Sequence, residues 1–327
     1  MGERRYSGID SPRVAALLLC AVLATSAAAQ YPARPVRILV PFAAGGVTDI
    51  VTRVVAQRMG AGSGGVFIVE NKTGAGGRIA YEAGARSAAD GYTLVAVDGA
   101  YPVLPAMYAS LPWDYASDLV PITISAQMPF VVVVNSNARI SALSELLAQA
   151  KASPAKINYG SAGVGGANHV VTELFKRAAR VDLTHIPFRG MGEAMTGLMS
   201  GSVDVLITAL PTAMSNLKGG RIVPLAVTSL ERSKVLPGVP TAAEAGVPGF
   251  VASNWVGLTA PKGTPRNVID WLHGEVVIAL SAADVRERFD ALGAEPSGIS
   301  PEEFAKVLRD DARRWAEVIR AAGIKAE

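Results

Sequence analysis

The chain has 327 residues, half of them hydrophobic, enough to bury one large core or two medium ones. Its formal charge is only +3, with acidic and basic residues interspersed. No basic stripe with interleaved aromatics accompanies the pI near 9.0, so nucleic acid is not an expected partner.

In chain order, the first thirty residues read as a leader rather than as part of a fold. Arg4, Arg5 and Arg13 supply positive charge, and the apolar stretch VAALLLCAVLATSAAA ends in Ala27-Ala28-Ala29, a small-residue cleavage pattern before Gln30. Residues 1–29 are therefore expected to be a signal peptide, with a retained membrane anchor as the rival reading. A lipid anchor at Cys20 fits poorly, because Leu19 stands where a small residue is wanted. Cys20 is the only cysteine and would leave with the leader. The mature chain would then carry no disulfide, thiol nucleophile or cysteine metal ligand, which suits a periplasmic protein with a sizeable core.

After the leader, short β-rich runs alternate with longer helical ones. VRILVPF precedes a helix near 47–59, VFIVEN precedes TGAGG and a helix near 78–88, and YTLVAV follows. Further on, KINYG leads through SAGVGG to a helix near 168–179. LTHIPF leads through RGMG to a helix near 192–200, and VDVLIT and IVPLAVTS come next. This rhythm predicts an α/β fold with parallel-rich sheets flanked by helices. The apolar run MPFVVVVN at 128–135 reads as a strand crossing between two halves, and VASNWVGLTAP at 251–261 as a second crossing. Two crossings predict two lobes, residues 31–131 plus 255–327 and residues 132–254, joined by a paired hinge of the kind that closes around a ligand. The tail reads as helical. Thr264 is expected as an N-cap with Pro265 in the first helical position, and Ser300 with Glu303 as a capping box. Trp315 falls on the apolar face of the last helix and reads as core.

Ligands of parallel sheets bind at the carboxyl ends of strands. The turn PFAAGGVTDI at 41–50 lies at such an end. It is neither a Walker A loop nor GxGxxG, since Gly46 is followed by Val47, Thr48 and Asp49. Free backbone N–H groups, a helix dipole and the Thr48 hydroxyl suit one modest anion such as a carboxylate. The other reading is a plain tight turn in which Thr48 or Asp49 caps the helix. NYGSAGVGGANH occupies the equivalent place in the second half, with the Ser161 hydroxyl, Asn168 as a cap and His169 in the first turn. Two such helix starts would face each other across a cleft. VDVLITALPTA places Thr208 and Ala209 at another strand end, while Asp204 reads as a structural hydrogen-bond partner and Arg78 as solvent-facing. Enzyme signatures are poor. YGSAG is not a nucleophile elbow, no HExxH occurs, His185 reads as core and His273 as surface.

The chain resembles the receptors of the tripartite tricarboxylate transporter system, the Bug family. The motifs are YPARPVRILVPFAAGGVTDIVTRVVAQRM, VENKTGAGGRIAYEAGARSAADGYTL, NYGSAGVGGANHVVTELFKRAARVDLTHIPFRG and LAVTSLERSKVLPGVPTAAEAGVPGF, followed by WVGLTAPKGTP. The resemblance implies a monomeric periplasmic solute-binding protein of the two-lobed Venus-flytrap type, with no catalytic activity, metal or cofactor. It implies a small carboxylate ligand (a di- or tricarboxylate, acidic amino acid or aromatic acid) passed to membrane transporter subunits. A sensor that signals to a membrane histidine kinase is the alternative. Family positions implied to hold the ligand match Phe42, Gly45, Gly46, Thr48 and Asp49 in the first lobe. In the second they match Ser161, Gly163 and His169, with Thr208 and Ala209 as a less fixed wall. Ala44 departs from the family pattern, which often has proline there.

Overall fold

The computed structural model describes residues 31–324, so the leader expected at 1–29, Cys20 included, lies outside the described residues. The first lobe opens with β1 (Val36–Val40), α1 (Val47–Ser63), β2 (Phe67–Asn71), α2 (Arg78–Ala85), β3 (Thr93–Asp98) and α3 (Leu104–Met107). β4 (Leu119–Asn135) then leads into α4 (Leu143–Ala152), β5 (Asn158–Ser161), α5 (Ala167–Ala179), β6 (Thr184–Pro187) and α6 (Met191–Ser200). β7 (Val205–Ala209), α7 (Leu210–Lys218) and β8 (Ile222–Val227) complete the second lobe. The chain returns through β9 (Ser253–Pro261) to α8 (Arg266–Ser281), α9 (Ala283–Leu292), β10 (Glu295–Pro296) and α10 (Pro301–Ala322).

The strands form one mixed sheet in the order β2-β1-β3-β9-β4-β7-β5-β6, with β8 and β10 also paired to β4. β1 pairs in parallel with β2 and β3, as β5 does with β6 and β7. The crossing strands run antiparallel to their neighbours. The parallel strands are nearly continuous apolar runs because helices cover both faces.

β4 belongs to both lobes. Up to Pro129 it pairs with β9, and from Phe130 it pairs with β7 and β8. The sequence places the crossing at 128–135, but the strand begins at Leu119. Pro121, Thr123, Ser125 and Gln127 break up the first half of the strand, unlike the apolar run of its second half, which hides the earlier start. At the change of partners, the Thr228 hydroxyl accepts from Phe130 N–H (2.9 Å) and donates to the Ala252 carbonyl (2.5 Å). Thr228 also exchanges backbone bonds with Phe130 and Ala252. The two crossings are thus tied together at one buried threonine.

The cores largely follow the lobes, although Val103 and Met107 join a second-lobe cluster and Ala209 a first-lobe one. Val36, Ile38, Val51 and Leu272 lie in a first-lobe cluster, and Val132, Tyr159, Val170 and Phe175 in a second-lobe cluster. α10 joins both. Phe304 and Leu308 pack against Trp255 and Tyr101 of the first lobe, whereas Trp315, Val318 and Ile319 pack into the second-lobe cluster. Trp315 is core, as its spacing predicts, but its helix bridges the lobes rather than belonging to the first alone. The Ser300–Glu303 capping box is present. At α8 the start differs from expectation. Pro265 is the N-cap and Arg266 the first helical residue, because the Thr264 hydroxyl donates back to the Pro261 carbonyl at 2.7 Å.

Gly257 sits in β9 between Val97 of β3 and Ile124 of β4, under the ring of Phe304. A methyl placed there would lie 2.6 Å from the Phe304 ring and 2.8 Å from the Thr123 carbonyl oxygen. Gly257→Ala is expected to destabilise the fold by about 1–3 kcal/mol through overpacking. Urea denaturation checks this, and an unchanged midpoint would show that α10 can shift freely on the sheet.

Candidate functional site

Four helices begin at strand ends around one cavity of about 250 Å³. They are α1 after β1, α5 after β5, α6 after β6 and α7 after β7. The walls approach closely across the cleft. A methyl built on Gly190 would lie 3.9 Å from Ala43 Cβ, and one on Gly99 would lie 3.8 Å from Ala167 Cβ.

The helix starts share one construction. The N-cap residues of α1, α5 and α6 are Gly46, Gly166 and Gly190, and that of α7 is Ala209; none makes a side-chain cap. An N-cap serine or aspartate would occupy the first-turn amides, and these residues cannot. In three of the helices the side chain of the third helical residue reaches back instead to the N–H before the cap. Gly45 N–H donates to Asp49 Oδ2 (3.0 Å), Gly165 N–H to His169 Nδ1 (3.0 Å) and Arg189 N–H to Glu193 Oε2 (3.1 Å). The turn is fastened from behind while the first-turn amides stay open to the cavity. A left-handed residue is required at Gly45 (φ 82°), which only glycine adopts cheaply.

Of the residues the sequence singles out, Phe42, Gly46, Thr48, Thr208 and Ala209 line the cavity. Gly45, Asp49, Ser161, Gly163 and His169 lie behind the lining, engaged within the protein. Asp49 is buried and accepts from Gly45, Arg53 Nε (2.9 Å) and Asn71 Nδ2 (2.9 Å). Burial works to raise its pKa, but these hydrogen bonds and the Arg53 charge outweigh it and hold the carboxyl below the usual range. Thr48 does not cap its helix. Its hydroxyl donates to Asp98 Oδ2 at 2.6 Å.

Ser161 is fully buried, 2.6 Å from His185 Nε2, and its Oγ donates to Gly163 O at 3.0 Å. His185 stacks on His169 with ring centroids 3.9 Å apart. An inaccessible hydroxyl is no nucleophile, and this cluster supports the second-lobe loop. His185 is half-buried and near-core. His273 is half-buried rather than surface, with Nε2 3.2 Å from the Gly298 carbonyl. Asp204 accepts from Asn158 N–H, a structural bond. Arg78 is not free in solvent but lies over the Tyr108 ring at 4.0 Å.

Sequence reasoning missed Thr73, Asp98, Arg189, Glu193, Thr212 and Asn254, all in the lining. Asp98 ends the run YTLVAVD and Arg189 opens RGMG, so the strand-end rule that selected Thr48 could have selected both. Asn254 opens β9, and nothing local marks it. Among the described residues no group of three His, Cys, Asp or Glu could hold a metal ion, and no helix is long and apolar enough to cross a membrane.

An α/β protein whose two lobes enclose one small cavity lined by open helix N-termini is a solute-binding receptor in architecture. The chain belongs to the tripartite tricarboxylate transporter receptor family (TctC), whose family model matches residues 51–324. It is 37% identical to the protein BugT of Bordetella pertussis over 306 residues, 93% of this chain and 94% of BugT. Rpa4515 of R. palustris, solved with adipate, superposes with a TM-score of 0.87 at 33% identity, covering 90% of this chain and 99% of that one. The periplasmic binding protein BugD superposes with a TM-score of 0.85 at 33% identity, covering 91% and 100%. The family is one of substrate-binding receptors, and the chain is a receptor rather than an enzyme.

Burial holds both stacked histidines down to about 4. The Lys176 charge adds to this at His169. At His185 the His169 and Lys176 charges add to it against Glu173. The ordinary value is 6.5, so on acidification the unfolded chain binds protons first. Their contribution to stability is present above pH 6.5 and is lost as pH falls toward 4. The urea midpoint is expected to drop between pH 7 and pH 4.5. The drop should shrink in a His169→Gln/His185→Gln double variant, and an equal drop there would place the acid sensitivity elsewhere.

Proposed function

We propose that the chain is a periplasmic receptor that captures a small carboxylate and delivers it to the membrane subunits of a tripartite tricarboxylate-type transporter. The observation that carries this reading is the set of helix N-termini left open by Gly46, Gly166, Gly190 and Ala209 around one cavity. α1, α5 and α6 present unpaired first-turn amides, α7 presents fewer because Pro211 has no N–H, and each gives the positive end of a helix dipole, the arrangement that receives an anion. The turn after β1 offers no lysine for a triphosphate, and the open amides around the cavity suit a small carboxylate. The adipate of Rpa4515 supports a carboxylate as the ligand class. The protein acts as a monomer, exported by its N-terminal leader.

Capture proceeds by hinge closure. Residues 31–131 with 255–327 and residues 132–254 serve as the two bodies, turning about the Phe130–Thr228–Ala252 tie. The bridging end of α10 must slide or bend as they part. Thr208 in the second-lobe wall is fully buried, and its hydroxyl has no partner among the described residues. A bound ligand, or a water held with it, supplies that partner.

Two outcomes test this reading. Calorimetry against short mono-, di- and tricarboxylates is expected to show saturable single-site binding without turnover, and no heat with any carboxylate would overturn it. Thr208→Val keeps the shape and removes the orphaned hydroxyl. It should leave the free protein as stable or more stable while weakening ligand binding by about 0.5–1.5 kcal/mol. Loss of free-protein stability with unchanged affinity would remove Thr208 from the site.

A further inference from the structure

The cavity holds a charge that a receptor for a plain anion does not need. Asp98 ends β3, lines the cavity and is only 5% exposed. Its Oδ2 accepts from the Thr48 hydroxyl (2.6 Å) and its Oδ1 from Ala100 N–H (2.9 Å). These donors fix the carboxylate rigidly and leave each oxygen able to accept once more. Neither donor carries a charge. The ion pairs of the described residues do not include Asp98. The one cation of the lining, Arg189, stands on the opposite lobe and pairs with no acid there. Beside Asp98, the Asn254 side-chain oxygen accepts from Gly99 N–H (3.2 Å), which turns its amide nitrogen away from that bond and leaves it free as a donor.

A buried carboxylate without a cation is unstable in isolation. Burial pushes the Asp98 pKa up, against the Thr48 and Ala100 hydrogen bonds. Burial alone thus favours the neutral acid, and a ligand that brings a cation to Asp98 would draw out its charged form. The same cavity offers helix N-termini that attract an anion. The Asp98 wall therefore accepts a cation while the helix N-termini accept a carboxylate, and Glu193, the other acid of the lining, is exposed and already accepts from Arg189 N–H.

We infer that Asp98 is the specificity-determining residue of the site and selects a zwitterion, an amino acid whose ammonium group it receives while the open helix N-termini hold the carboxylate. This rests on the carboxylate-receptor reading and narrows it. A plain dicarboxylate would set a second negative group against Asp98. A hydroxy acid could donate to it but would leave its charge uncompensated.

The test uses the mature chain and calorimetry at pH 7 with matched ligands. The sets are aspartate, malate and succinate; glutamate, 2-hydroxyglutarate and glutarate; valine, 2-hydroxyisovalerate and isovalerate. In at least one set the amine-bearing ligand is expected to bind about 10- to 100-fold tighter than both analogues, the effect of one hydrogen bond to a charged group. In Asp98→Asn that preference should fall to within about 3-fold, with the deaminated ligand bound as well as before or better. Equal or tighter binding of the deaminated or hydroxylated ligand by the wild type overturns the inference and leaves the carboxylate receptor standing. A preference that survives in Asp98→Asn overturns it too. Failure of every carboxylate, amine-bearing or not, overturns the receptor reading itself. The wild-type comparison decides the matter even if Asp98→Asn does not fold.

Discussion

The structure depends on one strand serving two lobes. β4 runs for seventeen residues, about 55 Å at strand rise, and changes partners between Pro129 and Phe130. Proline has no N–H to give the ladder, so position 129 is a natural place for one set of partners to end. Thr228 then binds that point to Ala252, just before the second crossing enters β9. Because both crossings meet at this tie, the strand ends of the two lobes are brought to the same side. The helix starts that follow those strands open onto a common space.

What that space can bind is set by what the N-caps lack. Glycine and alanine leave the first-turn amides unoccupied, and a helix end without a partner is costly when buried. The fold compensates from behind. Asp49, His169 and Glu193, each the third residue of its helix, tie down the N–H that precedes the cap. The turn is rigid and its donors remain free, a combination that an N-cap serine could not give. The three side chains differ in charge because their task is to accept one backbone hydrogen bond, which carboxylate and neutral imidazole do equally well.

Charge inside the cavity is distributed in the same economical way. Thr48 turns its hydroxyl to Asp98, so the residue expected to meet the ligand anion orients an acid instead. Thr208 keeps an orphaned hydroxyl on the facing wall. One lobe thus presents a fixed carboxylate and the other an open donor or acceptor, while the helix N-termini and Arg189 supply positive potential.

The local patterns were legible in the residues alone. Apolar runs and glycine turns give the alternation of strands and helices, the Ser300–Glu303 box gives the start of the last helix, and the missing lysine after Gly46 excludes a nucleotide loop. Thr48 and Thr208 were reachable because both stand at strand ends. Which side of a turn each group serves was not. Asp49 and Thr48 are neighbours in sequence, yet one faces Arg53 and Asn71 behind the turn and the other faces Asp98 in the cavity. A helix rotates successive side chains by about 100°, so direction is settled only when the neighbouring strands are in place. For the same reason α10 looks like one apolar stripe in sequence but divides its ends between two lobes. The elements, their order and the glycine-rich helix starts could be read from the residues, since these are local properties of backbone and spacing. That Asp98 shares the cavity follows only from the folded chain, because its partner Thr48 lies 50 positions away, and Asn254, which holds the adjacent Gly99, lies 155 positions from that glycine.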